Sequence, residues 1–157
     1  MDKIQYEKIS KPFLNKKSEI QLMNKLLTTI GYISYPILLV LSYYQNNLMK
    51  VLLVPASGFV LLTFVRKAIN RKRPYETLNI TPIIQKNKKG NSMPSRHVFS
   101  MSIIALSWFL VSPIIGAILV VCSILLACIR VIGGVHYPSD VLIAMLSACI
   151  WSCLYLF

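Results

Sequence analysis

From Val98 to Phe157 the chain carries only two formal charges, Arg130 and Asp140, and apart from His136 between them the rest is almost entirely apolar or small. Such a stretch is too apolar for the surface of a soluble domain. It has to be divided into membrane spans, and a membrane allows only structures that satisfy every backbone hydrogen bond internally. Nothing here alternates like a barrel strand, so the spans are helices.

Runs of apolar residues then set the layout. Leu26 to Tyr44 makes a first span, about 28 Å long at 1.5 Å per residue, which matches the hydrocarbon core. Val51 to Val65 is a second, short span that can continue as a helix through the basic residues after it. Val98 to Val111, Ile114 to Ile132 and Val141 to Phe157 complete the set, separated by Ser112-Pro113 and by Gly133-Gly134. The expected fold class is all-α, a polytopic transmembrane bundle of about five spans. Residues 1–25 form a polar, basic lead, read as an interfacial helix, and residues 26–157 a single domain. The lead holds no small-residue cleavage site, so the first span is read as retained.

The chain is 55% hydrophobic with a formal charge of +12, and its mean hydropathy is +0.62. The positive charge is concentrated before Lys25 and between Arg66 and Arg96. These stretches flank spans and lack interleaved aromatics, which argues against a nucleic-acid partner. Attraction to the bilayer and to anionic lipid phosphates fits better. Cys122, Cys128, Cys149 and Cys153 sit inside apolar runs without metal-ligand spacing and read as small buried residues. No metal or cofactor is expected.

Counting spans brings three polar islands to one face of the membrane. Arg66 and Arg73 are seven residues apart, so a helix continuing to Pro74 would put both guanidiniums on one side, suited to a phosphate. The alternative is a belt of snorkelling basic side chains. Ser95 is a natural N-cap for the third span, whose free N–H groups favour an anion, with His97 in the first turn. Arg130, His136 and Asp140 form the third island. An aspartate four residues after a histidine can accept its ring N–H and leave the other nitrogen nucleophilic. Ionisable groups flanked by membrane-grade sequence are functional candidates by default. A haem-binding bundle using His97 and His136 as axial ligands is a competing use; the nearby arginines and Asp140 favour phosphate.

Arg-Pro at 73–74, Pro-Ser-x-His at 94–97 and Arg-x5-His-x3-Asp at 130–140 resemble the three signature motifs of the type-2 phosphatidic-acid phosphatase superfamily, over residues 50–157. The resemblance implies a metal-independent phosphatase in which His136 is the nucleophile, Asp140 orients it and His97 is the general acid and base. It puts phosphate binding on Arg66, Arg73, Ser95, Arg96 and Arg130. Three positions depart from the pattern. Arg66 stands for the usual lysine, Arg96 where glycine is common, and Ile129 for the usual serine.

The expected substrate is a lipid phosphate: undecaprenyl diphosphate, phosphatidylglycerol phosphate and phosphatidic acid all remain open. Tyr75, Ile83, Ile84, Lys86, Lys88 and Lys89 would shape access to the site. A non-catalytic lipid-phosphate-binding protein that keeps the fold is the alternative. Lys and Arg counting puts the lead and the 66–96 loop on the cytoplasmic side. The resemblance instead favours a site facing outward from a bacterial cell membrane, and that is the orientation expected here. The oligomeric state stays open.

Overall fold

The computed structural model describes residues 1–86 and 88–156, and every regular element in it is helical. A short helix α1 (Lys3–Ser10) is capped by the Asp2 carboxylate and leads through a 3-10 segment, Lys11–Lys16, into α2 (Lys17–Tyr44). Thus Lys17 to Lys25, part of the basic lead, already belongs to the first long helix. After a turn at Asn46 comes α3 (Leu48–Ile69), then a one-turn helix α4 (Pro74–Thr77). A loop leads to α5 (Arg96–Trp108), α6 (Pro113–Ile132) and α7 (Pro138–Ser152). Helices α4, α6 and α7 each begin on a proline, where the missing N–H costs nothing and the fixed φ already suits a helix.

Four helical stretches are long and apolar enough to cross a membrane: Lys3–Tyr44, Leu48–Thr77, Pro113–Ile132 and Pro138–Leu156. The chain is therefore an integral membrane protein. The remaining expected span is α5, which has only 13 residues. It tolerates this because it stands in the middle and packs against α2, α3, α6 and α7. No residue of α5 is exposed.

Two apolar clusters meet on α5. Met101, Ile104, Ala105 and Trp108 join Leu27 and Leu38 of α2 and Leu119 and Leu126 of α6. Val98, Phe99 and Ile103 join Val54 and Leu62 of α3 and Ala144 and Ala148 of α7. Small residues allow the close approach, as is usual between helices in lipid. A Cβ on Gly58 would lie 2.7 Å from the Trp151 ring. The outer faces expose Val40, Phe64, Ile118, Leu146 and Ile150, apolar residues suited to lipid contact. Three of the four cysteines, Cys128, Cys149 and Cys153, are on this outer surface rather than in the core. Lipid tails accept a thiol as readily as the core does.

This order of helices brings one end of the bundle together: the C-terminal ends of α3 and α6 and the N-terminal ends of α2, α5 and α7. All three polar islands lie at that end.

Candidate active site

His136 lies in the turn between α6 and α7 and is 1% exposed. The turn forms because Gly134 takes a φ of +73°, a conformation open to glycine and strained for L side chains. Tyr6 of α1 lies directly beneath it, its hydroxyl 2.6 Å from where a Cβ would sit. The same hydroxyl donates to the Ile132 carbonyl at 3.4 Å.

The His136 Nδ1 is 3.5 Å from Asp140 Oδ2. That is a long hydrogen bond, and together with the charge of the carboxylate it favours the protonated ring. The carboxylate itself is fully buried and firmly held. Arg71 Nη1 donates to its Oδ1 at 2.8 Å, Ser92 Oγ donates to its Oδ2, and the Tyr137 N–H donates at 2.9 Å. Ser92 Oγ also lies 3.5 Å from His136 Nδ1. With Nδ1 turned to this group, Nε2 is left for the cavity that His136 lines. Burial holds the imidazole below the ordinary histidine range; Asp140 opposes this, and Arg130 and Arg73 add to it. The ring is therefore neutral, the state a nucleophile needs.

His97 is in the first turn of α5. Arg130 Nη2 lies 3.3 Å from its Nδ1. A guanidinium can only donate, so Nδ1 is the acceptor and the proton of the neutral ring sits on Nε2. Arg130 is 2% exposed, and its Nη1 donates to Asn24 Oδ1 of α2 at 3.1 Å.

Arg66 and Arg73 are both buried beside the loop that precedes α5. Arg66 donates to the carbonyls of Pro94 and Asn91. Arg73 donates to those of Gly90 and Val135, each at 3.1 Å, and to Asn91 at 3.5 Å. They do not share a helix face as their spacing suggested. Asn70 ends α3 in the left-handed region, at φ +40°, with its N–H on the Arg66 carbonyl. Arg73 then reaches the site from extended backbone at the start of α4.

Ser95 precedes α5 with extended backbone but makes no capping bond with its side chain. Its N–H donates to the Asp140 carbonyl at 3.0 Å. Its buried Oγ and the Arg130 Nε have no partner among the described residues. Buried polar atoms without partners are costly, so both call for an explanation beyond packing.

Both histidines line one cavity of about 410 Å³. Arg66, Arg73 and Arg96 line it too, with Lys67, Lys86, Lys88 and Lys89. No described Asp or Glu does. Burial brings Lys86 down to about 7, with repulsion from Arg130, Arg73, Arg66 and Lys88 adding to it. Of the residues expected to shape access, the lysines do line the cavity. Ile83 and Ile84 do not: both are buried in the core, with the Ile83 carbonyl taking a hydrogen bond from Gln21 Nε2 at 2.8 Å. They anchor the loop instead of forming a mouth.

Every expected site residue is thus at one end of the bundle. The sequence reading missed Arg71, Ser92, Asn24, Gln21 and Tyr6. Each acts across a large separation in sequence, and none carries a local motif.

Comparison with known proteins agrees with this fold. The crystal structure of Aquifex aeolicus LpxE is similar, with a TM-score of 0.68 at 23% identity, covering 91% of this chain and 93% of that one. So is that of the first transmembrane PAP2 type phosphatidylglycerolphosphate phosphatase from Bacillus subtilis, with a TM-score of 0.60 at 18% identity, covering 98% of this chain and 93% of that one. No curated protein sequence matches the chain. Residues 47–157 match the PAP2 superfamily, and the chain belongs to that family.

Proposed function

We propose that the protein is a membrane lipid phosphatase that hydrolyses a lipid phosphomonoester or diphosphate through a phosphohistidine on His136. One observation carries the reading: two histidines, one beside the buried Asp140 carboxylate and one beside the buried Arg130 guanidinium, line a single cavity rich in cations. The phosphatidylglycerolphosphate phosphatase from Bacillus subtilis, which shares the fold, agrees with it.

In the first step the Nε2 lone pair of His136 attacks phosphorus. The bond from phosphorus to the leaving oxygen breaks, and His97, which takes up a proton with the incoming anionic phosphate and so enters the step as an imidazolium, gives a proton to that oxygen and returns to the neutral ring. In the second step His97 takes a proton from water as the water attacks phosphorus. The P–N bond breaks and inorganic phosphate is released. Arg66, Arg73 and Arg130, with the Ser95 hydroxyl, stabilise the equatorial oxygens, the main contribution a protein makes to phosphoryl transfer. Nucleophile, acid and charge stabilisation all come from side chains, so no metal is required. The lipid tail stays in the bilayer while the headgroup enters at the end of the bundle. The site faces outward from a bacterial cell membrane.

Phosphate release by the purified protein in detergent with EDTA, across lipid mono- and diphosphates, tests the mechanism. Release that resists EDTA and disappears in His136→Ala and His97→Ala supports it. Release that needs metal or survives both substitutions refutes it. Absence of release from every lipid favours a binding protein that keeps the fold. Labelling of the N-terminus from outside intact cells tests the orientation, since the lead and the site share one end; protection from the reagent refutes it.

A further inference from the structure

A second cavity, of about 230 Å³, opens beside the first, between α2, α3, α5 and α6. Its walls are mostly apolar, with Tyr32, Phe59, Met101, Ile104 and Leu126 among them. Among the described residues, Arg96 and His97 alone line both cavities. They form the neck between a cation-lined chamber and an apolar one.

In-line attack fixes what lies at this neck. His136 stands on one side of the transferred phosphorus, and the leaving oxygen stands on the other, at His97. Whatever the substrate carries beyond that oxygen has to pass Arg96 before reaching the apolar chamber. Among the described residues Arg96 makes no ion pair. Its Cζ is 5.8 Å from the centre of the Phe59 ring, a weak contact for a half-buried cation. Arg66, Arg73, Arg130 and Arg71 all have hydrogen-bond acceptors in place. Among these arginines Arg96 is the one whose guanidinium has no hydrogen-bond acceptor among the described residues.

A phosphomonoester would put a methylene against this guanidinium. A diphosphate would put its second phosphoryl group there, within reach of the fork of donors that suits phosphate. The surrounding charge points the same way. The chamber presents seven Lys and Arg side chains and no acid, and a diphosphate neutralises more of that than a monoester does.

Building on the phosphatase reading, we propose that Arg96 forms a second phosphate subsite at the neck and that the substrate is a lipid diphosphate. His136 then forms its bond to the terminal phosphorus. The bond from that phosphorus to the bridging oxygen breaks, and its electron pair stays on the bridging oxygen, which His97 protonates. The departing lipid monophosphate is held by Arg96 until it leaves. Water releases the terminal group as inorganic phosphate.

Farnesyl diphosphate and farnesyl monophosphate, which share one chain, are the probes. The native protein is expected to favour the diphosphate in kcat/KM by at least about tenfold. Arg96→Gly should bring the ratio close to one, and Arg96→Lys, which keeps the charge, should retain an intermediate ratio. Equal losses on both substrates in Arg96→Gly, or no preference in the native protein, would overturn the subsite. Binding of both probes to His136→Ala separates this from the phosphatase reading. A binding preference for the diphosphate that Arg96→Gly abolishes, without turnover by the native protein, keeps the subsite and refutes the phosphatase. Turnover without any preference does the reverse.

Discussion

The two histidines sit in differently built halves of the site. On the His136 side, Asp140 is fully buried and receives hydrogen bonds from Arg71, Ser92 and the Tyr137 N–H. Arg73 is fastened to three backbone carbonyls. On the His97 side the chain of contacts is thin: His97 to Arg130 at 3.3 Å, then Arg130 to Asn24 at 3.1 Å. Two of the buried donors without a partner among the described residues are Ser95 Oγ, two residues before His97, and the Nε of Arg130, which contacts it. The difference matches the two tasks proposed for them. A nucleophile has to meet phosphorus along one line and gains from being fixed. An acid that later serves as a base has to follow first a leaving oxygen and then a water, and its bonds tighten when the phosphate arrives.

The sharpest way to break this division is to vary the leaving group. His136→Ala should abolish turnover of lipid phosphates and of p-nitrophenyl phosphate alike. His97→Ala should lose about 10²–10⁴-fold on a lipid phosphate and recover most of that on p-nitrophenyl phosphate, whose leaving group needs little protonation. If the two variants respond alike to the leaving group, the halves do not have separate tasks.

A smaller effect sharpens the comparison at Asn24. Asn24→Leu removes the acceptor from a buried guanidinium and should lower kcat/KM by about tenfold, in line with a hydrogen bond to a charged group. Asn24→Asp, which keeps an acceptor, should restore part of it. In the His97→Ala background Asn24→Leu should cost much less, because its effect runs through that half. Additive losses would make Asn24 a purely structural residue.

The smallest effect is a matter of pH. Lys86 titrates at about 7, below its ordinary range, so it is cationic at pH 6 and largely neutral by pH 8. Its contribution to phosphate binding is present below that window and lost above it. KM should rise a few-fold between pH 6 and 8, and Lys86→Arg, which stays charged, should flatten that limb. An unchanged limb in Lys86→Arg would assign it to another group.

The helical class and one-sided convergence were legible because the apolar runs set the spans and the spans set which loops meet. The motif residues were legible because their spacing is local. What escaped was decided by packing between distant segments. Asn24 and Arg130 are 106 residues apart, and Tyr6 and Ile132 are 126 apart; neither pair leaves a trace in local pattern. Arg73 was placed at the right end of the bundle by the wrong route. The signal was present in Asn70, since asparagine is the side chain that best tolerates the left-handed position closing a helix. Ile83 and Ile84 misled because an apolar pair in a polar loop fits a lipid-facing rim as well as an anchor, and only the glycine turn at Gly133 and helix α2 decide between them.

The shortness of α5 has a consequence for how the protein sits in its surroundings. At 13 residues it is about 20 Å long, well under the ~30 Å of a hydrocarbon core. None of its residues is exposed, so it offers the bilayer little surface on which hydrophobic mismatch could act directly. A thicker or thinner bilayer tilts or strains the four outer helices, while the helix that carries His97 feels the change only through side-chain packing. The acid end of the site is thereby insulated from the thickness of the membrane, and the protein can keep one catalytic geometry while its lipid surroundings change.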